Sequence, residues 1–254
     1  GLESVARNLR DTTWTRAGTP RIVSVSGTNI DEMVDCHRHI EPLVDAVELN
    51  VSSPNPNGLR VFHDTVLLGD LLDKISEARD KPLVVKLPPY TTIASSGSDI
   101  SGAKKKILNM AKICAERGVD GLTVANSRPM DDLRLSTGSG GLSGKPLFAD
   151  TLRMVTEVRS VTGNGVFINS CGGIFTGEDA WQALQAGANT IQIYTGLVFR
   201  GPATVKNINR ELIAIMKREG KASHGLGTIA VGKLASEGLG ISRCKLHGVF
   251  PLDL

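Results

Sequence analysis

The chain has 254 residues, 41% of them hydrophobic and 22% charged, enough for one sizeable domain with its own core. Its formal charge of +3 comes from Lys and Arg scattered among Asp and Glu, without the concentrated basic stripe that a nucleic-acid binder needs. Cys36, Cys114, Cys171 and Cys244 lie far apart with no CxxC pair, which argues against a zinc knuckle or a dense disulfide framework and fits a reducing compartment.

The first residues read as an amphipathic helix already under way, with no initiator Met and no signal or transit segment, as in a chain cut from something longer. No run of about 18 apolar residues suggests a membrane span. Arg21–Ser26 is the first predicted strand, followed by a helix over Asp31–Leu43. Cys36, His37 and His39 fall on different faces of that helix, so a solvated helix is the better reading than a metal site. A strand at Asp45–Val51 runs into the polar stretch NVSSPNPNG and then a helix at Leu67–Ala78. The strand Leu83–Lys86 ends on a lysine that completes the apolar run LVVK. A loop, TTIASSGSDIS, leads into a helix over Ser101–Arg117. After the strand Gly121–Ala125 comes a helix at Ala149–Val161, and the glycine-rich connection over 130–149 is long enough to suggest function. The strand Gly165–Ile168, the helix Gly177–Ala186, the strand Thr190–Tyr194 and the helix Ala203–Arg218 complete the pattern. From Lys221 onward no clean period appears, and the segment reads as an appendage.

The strands are nearly continuous in apolar residues, as expected of strands buried on both faces. Their alternation with helices implies right-handed crossovers and a parallel sheet. A closed barrel needs eight such units and a doubly wound sheet can stop at six, so topology alone leaves both open.

Polar residues recur where these strands end, and in α/β folds that end binds ligands. Asn50, Ser53, Asn55 and Asn57 follow the second strand and Lys86 ends the third. Asn126, Ser127 and Arg128 follow the fourth, Asn169 to Gly173 the fifth, and Tyr194, Thr195 and Gly196 the sixth. Asn, Ser, Pro and Gly also make good turns, but their recurrence at one end favours a site. A lysine ending a buried strand needs an anionic or electron-rich partner. Gly172 and Gly173, with Gly141 to Lys145, look like a phosphate clamp of backbone N–H groups. If the last two strands are the seventh and eighth of a barrel, the visible first strand is the third, and two units are missing at the front.

Together, VELNVSSPNPNGLR, VVKLPP, GLTVANSRP, GGLSGKPL, CGGIFTGEDA and IQIYTGLVFRGP resemble dihydroorotate dehydrogenase, and specifically its quinone-using class 2. The resemblance covers roughly residues 1 to 219. Serine at Ser53 points to class 2, because class 1 enzymes carry cysteine there.

The resemblance implies an α/β fold of the TIM (β/α)8 type, incomplete here. An FMN-binding barrel would occupy 1–219 and an atypical tail 220–254. It implies oxidation of dihydroorotate to orotate in de novo pyrimidine biosynthesis, with FMN receiving the hydride and ubiquinone the electrons. Ser53 would be the catalytic base, helped by a proton relay. Lys86 would lie beside the flavin and stabilise its negative charge on reduction. Asn50, Ala125, Ser143, Gly144, Gly172, Gly173, Tyr194 and Thr195 would complete the flavin site. Asn50, Ser53, Asn55, Asn126 and Ser127 would bind the substrate. Glu48, on the strand face of Asn50, is either an orienter of the site or an ordinary satisfied carboxylate. Trp14 and Trp181 read as packing groups. The family's lysine near the substrate, its early glycine-rich stretch and its membrane-associated quinone tunnel have no counterpart in this sequence. The chain alone is therefore expected to bind FMN poorly and turn over little. The resemblance further implies no metal, no nucleic acid and a location at the mitochondrial inner membrane. The alternatives are a class 1 or dihydropyrimidine dehydrogenase-like flavoprotein with another acceptor, a non-catalytic remnant, or a phosphosugar barrel enzyme supported only by the phosphate clamp.

Overall fold

In a computed structural model, residues 2–10, 20–52, 61–90 and 100–220 are described. Ser53, Asn55, Asn57, Trp14, Cys244 and the segment 221–254 lie outside the described residues. After helix α1 (Leu2–Arg10), strands and helices alternate: β1 (Ile22–Val25), α2 (Ile30–Ile40), β2 (Ala46–Asn50), α3 (Thr65–Ser76), β3 (Leu83–Lys86), α4 (Ile100–Glu116) and β4 (Gly121–Val124). A hairpin of β5 (Arg128–Asp131) and β6 (Ser139–Leu142) precedes α5 (Phe148–Thr162), β7 (Phe167–Cys171), α6 (Gly177–Gln185), β8 (Thr190–Gln192), α7 (Thr195–Arg200) and α8 (Thr204–Arg218). The main sheet has six strands in the order β1-β2-β3-β4-β7-β8, and every neighbouring pair is parallel. With a helix after each strand, this is the arc of an incomplete (β/α)8 barrel, its described edges being β1 and β8.

The two faces of the sheet differ in chemistry. Val47, Leu49, Leu83, Val85, Leu122, Val124 and Ile168 are buried in the core cluster, together with Met33, Leu71, Met110 and Val155 from the helices. This apolar layer holds the fold together, each large side chain adding about 1.5–3 kcal/mol of burial. By strand alternation the opposite face carries Glu48, Lys86, Thr123, Asn169 and Gln192, all buried. The strands are thus buried on both faces, as expected, but only one of the faces is apolar. One face is a hydrogen-bonded polar layer, and its residues are too widely spaced along the chain to break the apolar runs.

Three other readings also change. The fifth strand begins at Phe167 rather than Gly165 and extends through Asn169, Ser170 and Cys171, because the Asn169 amide is satisfied by neighbouring strands instead of by a turn. The sixth strand stops at Gln192, two residues short of Tyr194. The long connection holds an antiparallel hairpin, whose turn is tied by Asp132 accepting from the Arg134 N–H (3.0 Å) and guanidinium. Its strands, RPMD and SGGL, lack the alternation that announces a hairpin.

The N-terminal ends of the strands are closed by polar contacts within the chain. Arg79 pairs with Asp120, whose carboxylate also accepts the Leu83 N–H at 2.8 Å. Lys81 donates to the Glu41 and Val44 carbonyls at 2.7 and 2.6 Å. Arg159 donates to the carbonyls of Gly163, Val166 and Gly187. Charges at that end serve stability, which leaves the carboxyl ends of the strands as the place for function. Among the described residues no helix is long and apolar enough to cross a membrane.

Candidate functional site

A cleft of about 240 Å³ opens at the carboxyl ends of β3, β4, β7 and β8. Lys86, Ala125, Asn126 and Ser127 line one side, and Ser143, Gly144, Gly172, Gly173, Tyr194 and Thr195 the other. Asn50 does not line it, but stands beside it, paired in register with Lys86 on the neighbouring strand. Cys171, Gln192 and Gly196 also line the cleft. So the parallel strands bring to one rim residues up to about a hundred positions apart.

Lys86 is only 8% exposed, and among the described residues its ammonium forms no ion pair. A buried ammonium in that state favours an anionic or electron-rich ligand. Burial pushes the neighbouring Cys171 thiol up to about 11, against the pull of Lys86 and with the help of Glu48, so it stays an uncharged wall of the cleft.

The opposite rim is built from backbone. Gly173 has φ +74°, and a Cβ there would lie 2.7 Å from the Phe148 backbone nitrogen, so the loop can pack on the start of α5 only as glycine. Among the described residues, the N–H groups of Gly144, Gly173, Thr195 and Gly196 donate to no protein acceptor. Asp179, 5% exposed, ties the two halves of this rim together. Its carboxylate accepts from the Phe175 and Thr176 N–H groups at 2.9 and 3.1 Å and pairs with Lys145, next to Gly144. Burial presses that carboxyl upward, but the Lys145 and backbone hydrogen bonds hold it below the usual carboxylate range.

A polarised hydrogen-bond chain stands beside the cleft. The Ser127 N–H donates to Asn126 Oδ1 (2.8 Å), which turns the Asn126 amide nitrogen toward Ser52 Oγ (2.8 Å). Ser52 Oγ then donates to Asn50 Oδ1 at 2.6 Å. Two substrate candidates are thus held by Ser52, a buried residue that the sequence reading passed over as loop. The His63 ring bonds the Val51 carbonyl at 3.0 Å and steadies the same exit from β2. Beneath runs a second chain, Thr123 to Glu48 at 2.5 Å and Asn169 to Gln192 at 2.9 Å. Glu48 is therefore a satisfied buried carboxylate of this layer. Among the described residues no three His, Cys, Asp or Glu side chains form a group that could hold a metal ion.

The profile of the dihydroorotate dehydrogenase family matches residues 1–216. The chain belongs to the dihydroorotate dehydrogenase family. Among its relatives, the mitochondrial dihydroorotate dehydrogenase (quinone) of Mus musculus is 35% identical over 231 residues, covering 85% of this chain and 56% of that protein. The Arabidopsis thaliana protein of the same name is 34% identical, covering 72% of this chain and 40% of its own length. The dihydroorotate dehydrogenase (quinone) of Chloroflexus aurantiacus is 35% identical, with 74% and 53% covered. The chain spans about half the length of the curated relatives it matches. All three relatives are named as quinone-dependent enzymes. A crystal structure of ligand-free DHODH from Eimeria tenella superposes with a TM-score of 0.67 at 26% identity, covering 87% of this chain and 66% of that one. Its complex with ferulenol gives 0.68 at 24% identity, with 86% and 63% covered, a likeness of fold.

Of the motif residues, Lys86, Ala125, Asn126, Ser127, Ser143, Gly144, Gly172, Gly173, Tyr194 and Thr195 line the cleft, Asn50 stands beside it, and Ser53 and Asn55 fall outside the described residues. Gln192, Thr123 and Ser52 lie within the motif segments IQIYTGLVFRGP, GLTVANSRP and VELNVSSPNPNGLR, but nothing in those segments singles them out from their neighbours. Only cross-strand register reveals their partners.

Proposed function

We propose that this chain supplies the FMN- and pyrimidine-facing part of a quinone-linked dihydroorotate dehydrogenase. The observation that carries the reading is Lys86, buried without an ion pair opposite a glycine rim with free N–H groups. Such a cleft suits one elongated ligand with an electron-rich ring at one end and a phosphate at the other. FMN has that form, and the residues present fit it. Gly144, Gly173, Tyr194 and Thr195 would hold the phosphate through backbone N–H groups, with Ser143 and Gly172 beside them. Lys86, Ala125 and Asn50 would meet the ring.

Bound FMN supplies the two-electron acceptor for the oxidation of dihydroorotate to orotate. The protein's part is binding, orientation and proton handling. Lys86 places positive charge where negative charge grows during reduction. Asn126 and Ser127 orient the pyrimidine, since amides and hydroxyls offer both donor and acceptor to its edge. Asn50 has its oxygen committed to Ser52 and is left with donors. Ser53, next in the chain to Ser52, would take the substrate C5 proton as base, and Asn55 would add a substrate contact. The quinone in the relatives' names supports ubiquinone as final acceptor, and the production of orotate gives the reaction a place in pyrimidine biosynthesis. The plant and mouse relatives, named as mitochondrial, support a mitochondrial site of action.

The test is flavin fluorescence on titration with the 254-residue chain. FMN is expected to bind, though weakly, and riboflavin, lacking the phosphate, about tenfold more weakly still. Lys86→Met should weaken FMN binding by about tenfold or more without lowering stability. Equal affinity for riboflavin and FMN, or FMN binding unaffected by Lys86→Met, would contradict the reading.

A further inference from the structure

We propose that Gln192 is a ligand-contacting residue of the cleft, presenting its side-chain NH2 to a hydrogen-bond acceptor of the bound flavin. The inference rests on the flavin reading above. Gln192 ends β8, is 3% exposed and lines the cleft. Which end of its amide faces the cleft follows from a polarity set four strands away, on β2.

As a carboxylate, Glu48 can only accept. The single Thr123 hydroxyl hydrogen, 2.5 Å from Glu48 Oε2, is therefore committed to it. Thr123 Oγ1 can then only accept from Asn169, which turns the Asn169 amide nitrogen toward it at 3.3 Å. That same nitrogen lies 2.9 Å from the Gln192 amide, so Gln192 must show it oxygen Oε1. Asn169 Oδ1 is meanwhile occupied by the Thr190 hydroxyl at 3.0 Å. The chain from Glu48 to Gln192 has one consistent direction, and Gln192 Nε2 is left over. Among the described residues it donates to none, and it is not one of the fully buried atoms left without a partner, so it reaches the open space of the cleft that Gln192 lines. A donor fixed at the wall of a cleft gains a hydrogen bond when a ligand brings an acceptor to it. The flavin offers acceptors of one kind on two parts, carbonyl and nitrogen atoms on the ring and hydroxyl oxygens on the ribityl chain. The relay makes Gln192 a donor only, so it would select for such acceptors.

The experiment uses the 15N-labelled 254-residue chain titrated with FMN and, separately, with lumiflavin, which has the ring without the ribityl phosphate. The side-chain NH2 signals of Gln192, assigned by their disappearance in Gln192→Met and Gln192→Glu, should shift on FMN addition. A residue that only packs would not show a specific shift. FMN dissociation constants should rise about tenfold in Gln192→Met, which keeps the volume. Gln192→Glu, which replaces the donor by an acceptor, should lose at least as much. A matching loss with lumiflavin assigns the acceptor to the ring; a loss confined to FMN assigns it to the ribityl chain; both support the proposal. Unmoved Gln192 signals at saturating FMN, or a wild-type dissociation constant in Gln192→Met, overturn it while leaving the flavin site standing. A wild-type chain that binds no flavin overturns the site reading and this inference together.

Discussion

Replacing Gly173 by alanine tests whether the glycine rim is a packing requirement or only a flexible turn. At φ +74° an alanine loses about 1–2 kcal/mol to the clash of its Cβ with its own backbone. The new methyl would also lie 2.7 Å from Phe148 N and 2.8 Å from Phe148 Cα and Cβ, where real Cβ contacts do not occur. Those are atoms of the first turn of α5, which cannot rotate away as a side-chain tip could. Overpacking of this kind costs about 1–3 kcal/mol, so the total is about 2–5 kcal/mol. Gly118→Ala is the control: φ is +68°, and nothing lies within 4 Å of the added methyl, so only the backbone penalty of about 1–2 kcal/mol remains. Urea denaturation of both variants and wild type, read as midpoint times slope, gives the difference directly. Gly173→Ala should also lose FMN affinity, because the loop must shift the N–H that faces the cleft. If the two variants are equally destabilised within about 0.5 kcal/mol, Phe148 yields and the close packing argued for the rim is wrong.

Thr123→Val keeps the shape of a fully buried side chain but strands Glu48 without its donor and leaves Asn169 with one of its two acceptors; a loss of about 1–3 kcal/mol in urea unfolding is expected, and a loss near zero would mean that the inner polar layer contributes nothing to stability. Ser52→Ala removes the link between Asn50 and Asn126, so it should destabilise by about 1–3 kcal/mol and weaken orotate binding, measured by flavin fluorescence, more than FMN binding. Asp179→Asn should cost about 2–3 kcal/mol near neutral pH. Because the folded Asp179 carboxyl sits below its usual value, its contribution is complete above the unfolded value of about 4 and is lost as pH falls through the folded value. The stability gap between wild type and Asp179→Asn should be flat from about pH 6 to 8 and close in acid; a gap that persists at about pH 2 would assign the effect to geometry instead of charge.

Much of this was legible in the chain itself, for local reasons. Apolar runs such as LVVK, separated by amphipathic stretches, announce a parallel βα repeat because burial patterns are written over neighbouring residues. The motif residues Lys86, Asn126, Gly144, Gly173 and Thr195 were equally visible, since parallel strands carry their last residues to one end whatever the curvature of the sheet. What sequence could not decide was which polar groups find one another across strands. Ser52 reads as loop and Thr123 as an ordinary strand residue until register sets the one beside Asn126 and Asn50 and the other beside Asn169. Hairpin β5–β6 was hidden for a similar reason, as its strands, RPMD and the glycine-rich SGGL, are defined by their pairing and not by their own propensity. Composition and periodicity determined the parallel α/β class and the rim on which the site stands. Only tertiary structure decided the buried polar layer and the direction of its hydrogen bonds, because donor and acceptor roles are settled between side chains dozens of residues apart, by register and by a single acceptor-only carboxylate at Glu48.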